Sequence, residues 1–133
     1  MLDRFKEAQE EQFLIALNEV KSGEKKTHWI WYIFPQLKGL GISSTSQYYG
    51  LNGLEEAKEY YNDDYLRNNL ITICNALLNV QNKPIQAIFK EDSIKVHSCI
   101  TLFYIASNND LFMEILNKYF DGQYDQRTLD LLD

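Results

Sequence analysis

The side chain best suited to chemistry near neutral pH is the imidazole of His28, which can act as an acid, a base or a ligand. It opens an aromatic run, residues 28–34 with the sequence HWIWYIF. On a helix beginning near Thr27, His28 would share one face with Trp31 and Tyr32, which follow it at three- and four-residue spacing. That face could form one wall of a ligand pocket. In the alternative, His28 bonds to backbone or solvent in the first helical turn while the aromatic side chains fill the core.

A second group of polar residues follows the aromatic run, between Gln36 and Ser46. The segment contains Lys38, two glycines and several hydroxyl side chains, including that of Ser43. Such a loop could hold a phosphate through its backbone N–H groups, with Lys38 supplying the positive charge. It contains neither the third glycine of a dinucleotide-binding fingerprint nor the Lys-Ser/Thr pair of a Walker loop. A plain connection between helices is the alternative.

The third group is Lys95, Ser98 and Thr101, which recur at three-residue intervals. On a helix they would lie along one polar strip. If the strip faces inward its hydroxyls need partners, because an unsatisfied buried hydroxyl costs about 1 to 3 kcal/mol. A ligand could supply those partners, or the hydroxyls could donate to carbonyls four residues back in their own helix.

Together the three groups lead to the hypothesis of one pocket for a small polar, phosphate-bearing metabolite of the nucleotide or ADP-ribose type. Aromatic rings would cover the flat part of the ligand, and lysines with His28 would hold its anion. We expect such groups to converge on a cavity of roughly 300 Å³ or more. The proposed ligand-binding residues are Trp31, Tyr32, Gln36, Lys38, Ser43, Tyr48, Lys95, Ser98 and Thr101. The rival hypothesis is a protein-interaction module or homodimeric adaptor without a catalytic site.

Whether the protein is an enzyme stays open on the sequence alone. For catalysis, His28 is the residue that we would choose as general acid or base. The chain has two histidines and two cysteines, without the paired-histidine spacing of a zinc protease, a paired-cysteine motif or a Gly-x-Ser-x-Gly elbow. We therefore expect no bound metal, no cofactor and no serine-hydrolase chemistry.

The elements that would position these residues are predicted to be helices. A chain of 133 residues is the length of one domain, so residues 1–133 are expected to form a single helical domain. Only 6 Gly and 2 Pro are present, too few for the turns of a typical all-β sandwich. Apolar spacing predicts an all-α bundle of about six to seven helices around an aromatic core helix. The predicted helical segments include 3–21, 53–61, 65–80, 84–89 and 108–120.

The charge and composition of the chain limit the classes of partner and the cellular location that we expect. The net charge of −6 disfavours nucleic acid and anionic membranes as partners. The first residues carry charges of both signs and lack the apolar stretch of a secretory signal. Cys74 and Cys99 stand apart among apolar neighbours and are expected to be buried thiols, which together with the lack of a signal indicates the cytoplasm.

Several stretches of the chain resemble a bacterial family of unknown function that is often carried under the name calpastatin and typified by a mostly helical mycobacterial protein. The matching residues are Arg4-Phe5, Ala8-Gln9, His28 to Leu37 with Gly39-Leu40-Gly41, Glu56-Ala57, Lys95 with Ser98 to Phe103, Asp125 and Thr128-Leu129. The resemblance implies a compact, mainly helical fold, a helical aromatic run and no established activity. Calpain inhibition is not carried over, because it belongs to long, disordered, repetitive chains.

Overall fold

Helices account for the regular structure of the protein in the computed structural model, which describes residues 2–133. The helical segments are α1 (Asp3–Ser22), α2 (Ile30–Ile33), α3 (Ser44–Tyr49), α4 (Gly53–Asn62), α5 (Asp64–Asn79), α6 (Ile85–Phe89), a 3-10 turn (Lys90–Asp92), α7 (Ser93–Ser107), α8 (Asp110–Tyr119) and α9 (Gln126–Leu132). No strand lies within the described residues, so the predicted all-α class is confirmed. The segments outnumber the predicted six to seven helices partly because α3 begins within the segment from Gln36 to Ser46, here called the Gly-Ser loop, which was expected to contain no helix.

The two longest helices, α1 and α5, are bounded by residues that are typical of helix ends. Gly23 takes the left-handed conformation after α1, with φ of 81°, which glycine adopts without steric cost. The Lys83 ammonium donates to the Gly23 carbonyl at 3.1 Å and so neutralises part of the negative end of α1. Helix α5 begins at an Asp63 carboxylate that accepts from the Leu66 amide at 3.0 Å. The two helices pack against each other along much of their length.

Helix α7 lies deepest in the molecule and packs against α4 and α8. Its sequence is apolar on nearly every side, which is the pattern of a helix surrounded by others. The aromatic run joins the same core, because Trp29 and Phe34 are buried and both contact the Phe89 ring. The polar residues at the start of α7 are thereby brought beside the aromatic run.

The aromatic run is helical, as the family resemblance implied, but over a shorter stretch than the whole run. Helix α2 begins at Ile30 rather than near Thr27, and Trp29 precedes it with φ of −144°. His28 therefore lies in the bend before the helix and not in its first turn. The run ends at Phe34 because Pro35 disfavours helical geometry in the residue before it.

The Gly-Ser loop is closed at its base by an isolated parallel bridge between Leu37 and Leu51. The Lys38 amide donates to the Leu51 carbonyl, and the Leu51 amide donates to the Gln36 carbonyl, both at 2.8 Å. A Cβ atom at Gly50 would lie 2.7 Å from the Lys38 Cα, so only glycine fits there. The bridge fixes both ends of the loop and holds α3 against α2.

Candidate functional site

An open cleft of about 230 Å³ lies where the aromatic run meets α3 and the start of α7. It is smaller than the roughly 300 Å³ expected from the sequence. Its walls are formed by Lys25, His28, Trp29, Ile30, Trp31, Tyr32, Thr45, Asp92 and Lys95. Four of the predicted site residues therefore converge, namely His28, Trp31, Tyr32 and Lys95.

Two lysines of the cleft share one carboxylate. The Asp92 side chain pairs with the Lys25 ammonium at 3.0 Å and with the Lys95 ammonium at 2.8 Å. Burial would raise the pKa of Asp92, but hydrogen bonds and charge from Lys95 and Lys25 outweigh it and lower that pKa. Two ammoniums against one carboxylate leave an excess of positive charge, which favours an anionic ligand.

Both lysines also lie over tryptophan rings. The Lys25 Nζ is 5.0 Å from the centre of the Trp29 ring, and the Lys95 Nζ is 5.2 Å from the centre of the Trp31 ring. At this distance a cation is attracted by the negative face of the indole. Trp31 is only half-buried, so part of its ring faces the cleft. The cleft thus presents an aromatic surface and positive charge side by side.

Glu19 on α1 holds the chain segment that carries Lys25, His28 and Trp29. Its carboxylate accepts from the Lys26 amide at 2.7 Å, the Thr27 amide at 3.0 Å, the Thr27 hydroxyl at 2.7 Å and the Trp29 Nε1–H at 2.9 Å. Burial would raise the pKa of Glu19, but these donors outweigh it and lower the pKa to about 2. The carboxylate is therefore ionised at neutral pH and fixes this wall of the cleft.

His28 is exposed at the edge of the cleft. Its backbone carbonyl accepts from the Tyr32 hydroxyl at 3.2 Å. The imidazole itself makes no hydrogen bond with any residue between 2 and 133, so both ring nitrogens can reach a bound molecule. An exposed imidazole fits both expectations, contact with solvent and contact with a ligand, although His28 does not lie in a helical turn.

Ser98 and Thr101 do not line the cleft, because the strip they form faces the N-terminus of α9. The Ser98 hydroxyl donates to the Asp125 carboxylate at 2.7 Å and lies 3.1 Å from the Ile94 carbonyl. The Thr101 hydroxyl accepts from the Asp125 amide at 2.9 Å. Asp125 also accepts from the amide and the hydroxyl of Thr128. Both predicted ligand contacts are thus buried with partners from the protein itself.

The remaining predicted residues lie elsewhere around the Gly-Ser loop. Gln36 is buried, and its amide is 3.4 Å from the Phe34 carbonyl. Ser43 begins α3 by accepting from the Ser46 amide at 3.1 Å. Tyr48 is exposed and packs edge-on against Tyr49. Lys38 is exposed outside the cleft, so the loop contributes Thr45 to the site instead.

Sequence reasoning missed Lys25, Asp92 and Glu19. Lys25 and Glu19 stand close to the aromatic run, but no spacing rule connects either of them with it. Asp92 directly precedes α7, where a cap is common, but its side chain forms ion pairs in place of a cap bond. No local pattern signals these contacts, since they join α1, the segment after it and the start of α7.

Reactive groups outside the cleft are few in the described part of the chain. No three His, Cys, Asp or Glu side chains of residues 2–133 gather as a metal site would require. Cys74 and Cys99 are buried, and burial raises the pKa of both thiols. Across the same residues, no helix has the length and the apolar character that a membrane span needs.

An all-α protein with an open cleft lined by aromatic and lysine side chains is the class that this geometry defines. The structure is similar to the crystal structure of the conserved hypothetical protein Rv1873 from Mycobacterium tuberculosis, with a TM-score of 0.96 and 39% sequence identity over 98% of this chain and 95% of that one. The chain belongs to the protein family of unknown function DUF1810, whose pattern matches residues 1–132. No curated protein matches the sequence.

Proposed function

We propose that the cleft binds a small polar metabolite that carries both a flat group and a phosphate, of the nucleotide or ADP-ribose type. The observation that supports the proposal is the pairing of Trp31 with Lys95 on one open surface, beside the exposed imidazole of His28. A base could stack on the half-exposed indole, and a phosphate could replace part of the Asp92 interaction with the lysines. If the bound molecule is also converted, His28 is the group proposed as acid or base.

The proposal leaves Ser98 and Thr101 outside the binding surface, since Asp125 already satisfies their hydroxyls. It also leaves out Gln36, Ser43 and Lys38, which lie away from the cleft. The proposed set is therefore narrower than the sequence suggested, and Lys38 becomes the matched control for Lys95.

Calorimetric melting of the protein with AMP, ADP, ADP-ribose and sugar phosphates tests this proposal. A ligand at about 100 times its dissociation constant adds about 2.7 kcal/mol to the free energy of unfolding. We expect that increment to fall in His28→Ala and Lys95→Ala and to stay unchanged in Lys38→Ala. Stabilisation by none of these molecules, or equal stabilisation of Lys95→Ala and the parent, would contradict it and favour the interaction module or homodimer.

We make two further proposals, about the location of the protein and about its domain organisation. We propose a cytoplasmic location, which is supported by two buried thiols that form no disulfide. We also propose that residues 1–133 fold as one domain. This is supported by a single cluster of buried apolar side chains that includes residues from α1, α2, α4, α5, α6, α7 and α8.

A further inference from the structure

A second cleft of about 160 Å³ adjoins the first and shares Lys25, His28 and Asp92 with it. Its other walls come from Lys26, Thr27, Phe89, Lys90 and Glu91. The first cleft contains the Trp31 and Tyr32 rings, whereas this one contains two additional lysines. Because they share these three residues, the two clefts adjoin, and both contain lysines while only the first contains tryptophan and tyrosine rings.

The backbone of Lys90 adopts a conformation that lysine rarely takes. Its φ is 55° and its ψ is −130°, a region populated almost only by glycine. The other non-glycine residues with positive φ among residues 2–133 are Asn82, Asn108 and Asp121, which are the types that tolerate it. Hydrogen bonds fix this geometry on both sides, from the Lys90 amide to the Gln86 carbonyl and from the Ser93 hydroxyl to the Lys90 carbonyl. Glycine would fit this position better, yet the chain keeps a lysine at the edge of the cleft.

The added lysines are available to an anion. The Lys90 ammonium is 3.2 Å from the Glu24 carboxylate, but the two side chains are 56% and 48% exposed, so this pair is weak and exchangeable. Within residues 2–133 no carboxylate lies within ion-pair distance of the Lys26 ammonium. Three lysines and two carboxylates line the second cleft, namely Lys25, Lys26, Lys90, Glu91 and Asp92, and the Glu24 carboxylate stands beside Lys90. A phosphate there could pair with the ammonium groups of Lys26 and Lys90, neither of which is held in a strong ion pair within the protein.

We propose that the second cleft is a subsite for the distal phosphate of a nucleoside diphosphate whose base lies in the first cleft. This inference rests on the proposed function, and it names the ligand class within it. The base would cover Trp31, the diphosphate would pass His28, and Lys26 and Lys90 would hold its far end. A ligand contact at Lys90, which lines the second cleft, would account for a lysine at a position that glycine fits better.

Titration calorimetry with adenosine, AMP, ADP and inorganic pyrophosphate tests the subsite. In the parent protein, ADP should bind at least about tenfold more tightly than AMP, the gain of one charge-assisted contact. Lys90→Gly and Lys26→Gln should each lose most of that gain while adenosine binds as before. Lys58→Gln, a change of the same charge on the exposed face of α4, serves as the control. Pyrophosphate alone should bind far more weakly than ADP.

Stability separates a ligand role from a structural one at Lys90. Because glycine accepts a positive φ, Lys90→Gly should raise the melting temperature while it weakens ADP binding. Lys90→Gln keeps the strained backbone and should weaken ADP binding without raising the melting temperature. If ADP binds no better than AMP, or if Lys90→Gly retains the full gain, the subsite is wrong while the first cleft stands. If neither adenosine nor any phosphate binds, both proposals fail, and if pyrophosphate matches ADP, the base does not occupy the first cleft.

Discussion

Two polar clusters lie beside α7, a closed cluster around Asp125 and an open cluster around Asp92. They differ in how many of their polar groups have hydrogen-bond partners within the protein. Around Asp125, the hydroxyls of Ser98, Thr101 and Thr128 are buried and hydrogen-bonded within the chain. Around Asp92, one carboxylate serves two lysines, and the nearby His28 imidazole has no partner among residues 2–133. Polar residues at helical spacing therefore indicate a ligand only where the fold leaves part of their bonding capacity unused.

The largest effect should come from breaking the closed cluster with Asp125→Ala. The change removes the cap of α9 and the partner of the buried Thr128 hydroxyl. We expect the free energy of unfolding to fall by about 2 to 3 kcal/mol, as measured by urea denaturation. Ser98→Ala should cost less, about 1 kcal/mol, since it removes one hydrogen bond and orphans no other group. If Asp125→Ala reduces ligand binding at matched folded fraction, the two clusters are not independent.

Glu19→Gln should break the open cluster with a smaller loss of stability. The amide can keep some of the bonds to residues 26–29 but not all four, so the wall that carries Lys25 and His28 should loosen. The folded-state pKa of Glu19 is about 2, below its ordinary 4.5, so its contribution is present above that ordinary value and lost as the pH falls towards 2. After allowance for solvent exposure, this amounts to about 1 to 2 kcal/mol.

Denaturation curves of the parent and Glu19→Gln at pH 6 and pH 3 measure that contribution. The two proteins should differ at pH 6 and converge as the pH is lowered. Glu10→Gln, on the exposed face of the same helix, is the matched control and should follow the parent. A stability difference that stays constant between these pH values would show that the carboxylate charge does not hold the segment.

The smallest effect should come from Gly41→Ala at the edge of the cleft. An added Cβ would lie 2.8 Å from the Trp31 Cη2 atom and 2.8 Å from the Ser46 hydroxyl, so the ring or the loop must move. We expect a loss of about 1 kcal/mol in stability and weaker nucleotide binding. Ile42→Ala alters the next residue, whose side chain is 95% exposed, and should change neither quantity. Equal behaviour of the two variants would mean that the loop does not shape the cleft.

The sequence predicts the helices better than the contacts between them. Apolar spacing was sufficient for α1, α5 and α8, because each has one buried stripe that repeats at the helical period. Side-chain chemistry together with helical spacing also singled out His28, Trp31, Tyr32 and Lys95, which share the cleft. Spacing reports which residues share a face but not what that face meets.

That limitation explains why the other predicted site residues lie outside the cleft. Ser98 and Thr101 do share a strip, as predicted, but the strip meets α9 instead of the aromatic run. Lys38 belongs to the Gly-Ser loop, yet it follows the bridge between Leu37 and Leu51 and lies exposed outside the cleft. The pairing of Asp92 with Lys25 depends on tertiary packing, for which a single sequence carries no periodic signal.

The fluorescence of the two tryptophans in the aromatic run can report on the first cleft. The chain has 2 tryptophans, and Trp29 and Trp31 both border the first cleft, each beneath a lysine ammonium. Essentially all intrinsic tryptophan fluorescence therefore originates within a few ångströms of the place where a ligand would sit. A molecule that stacks on Trp31 or displaces Lys95 should alter that emission directly, so candidate ligands can be screened on the unlabelled protein.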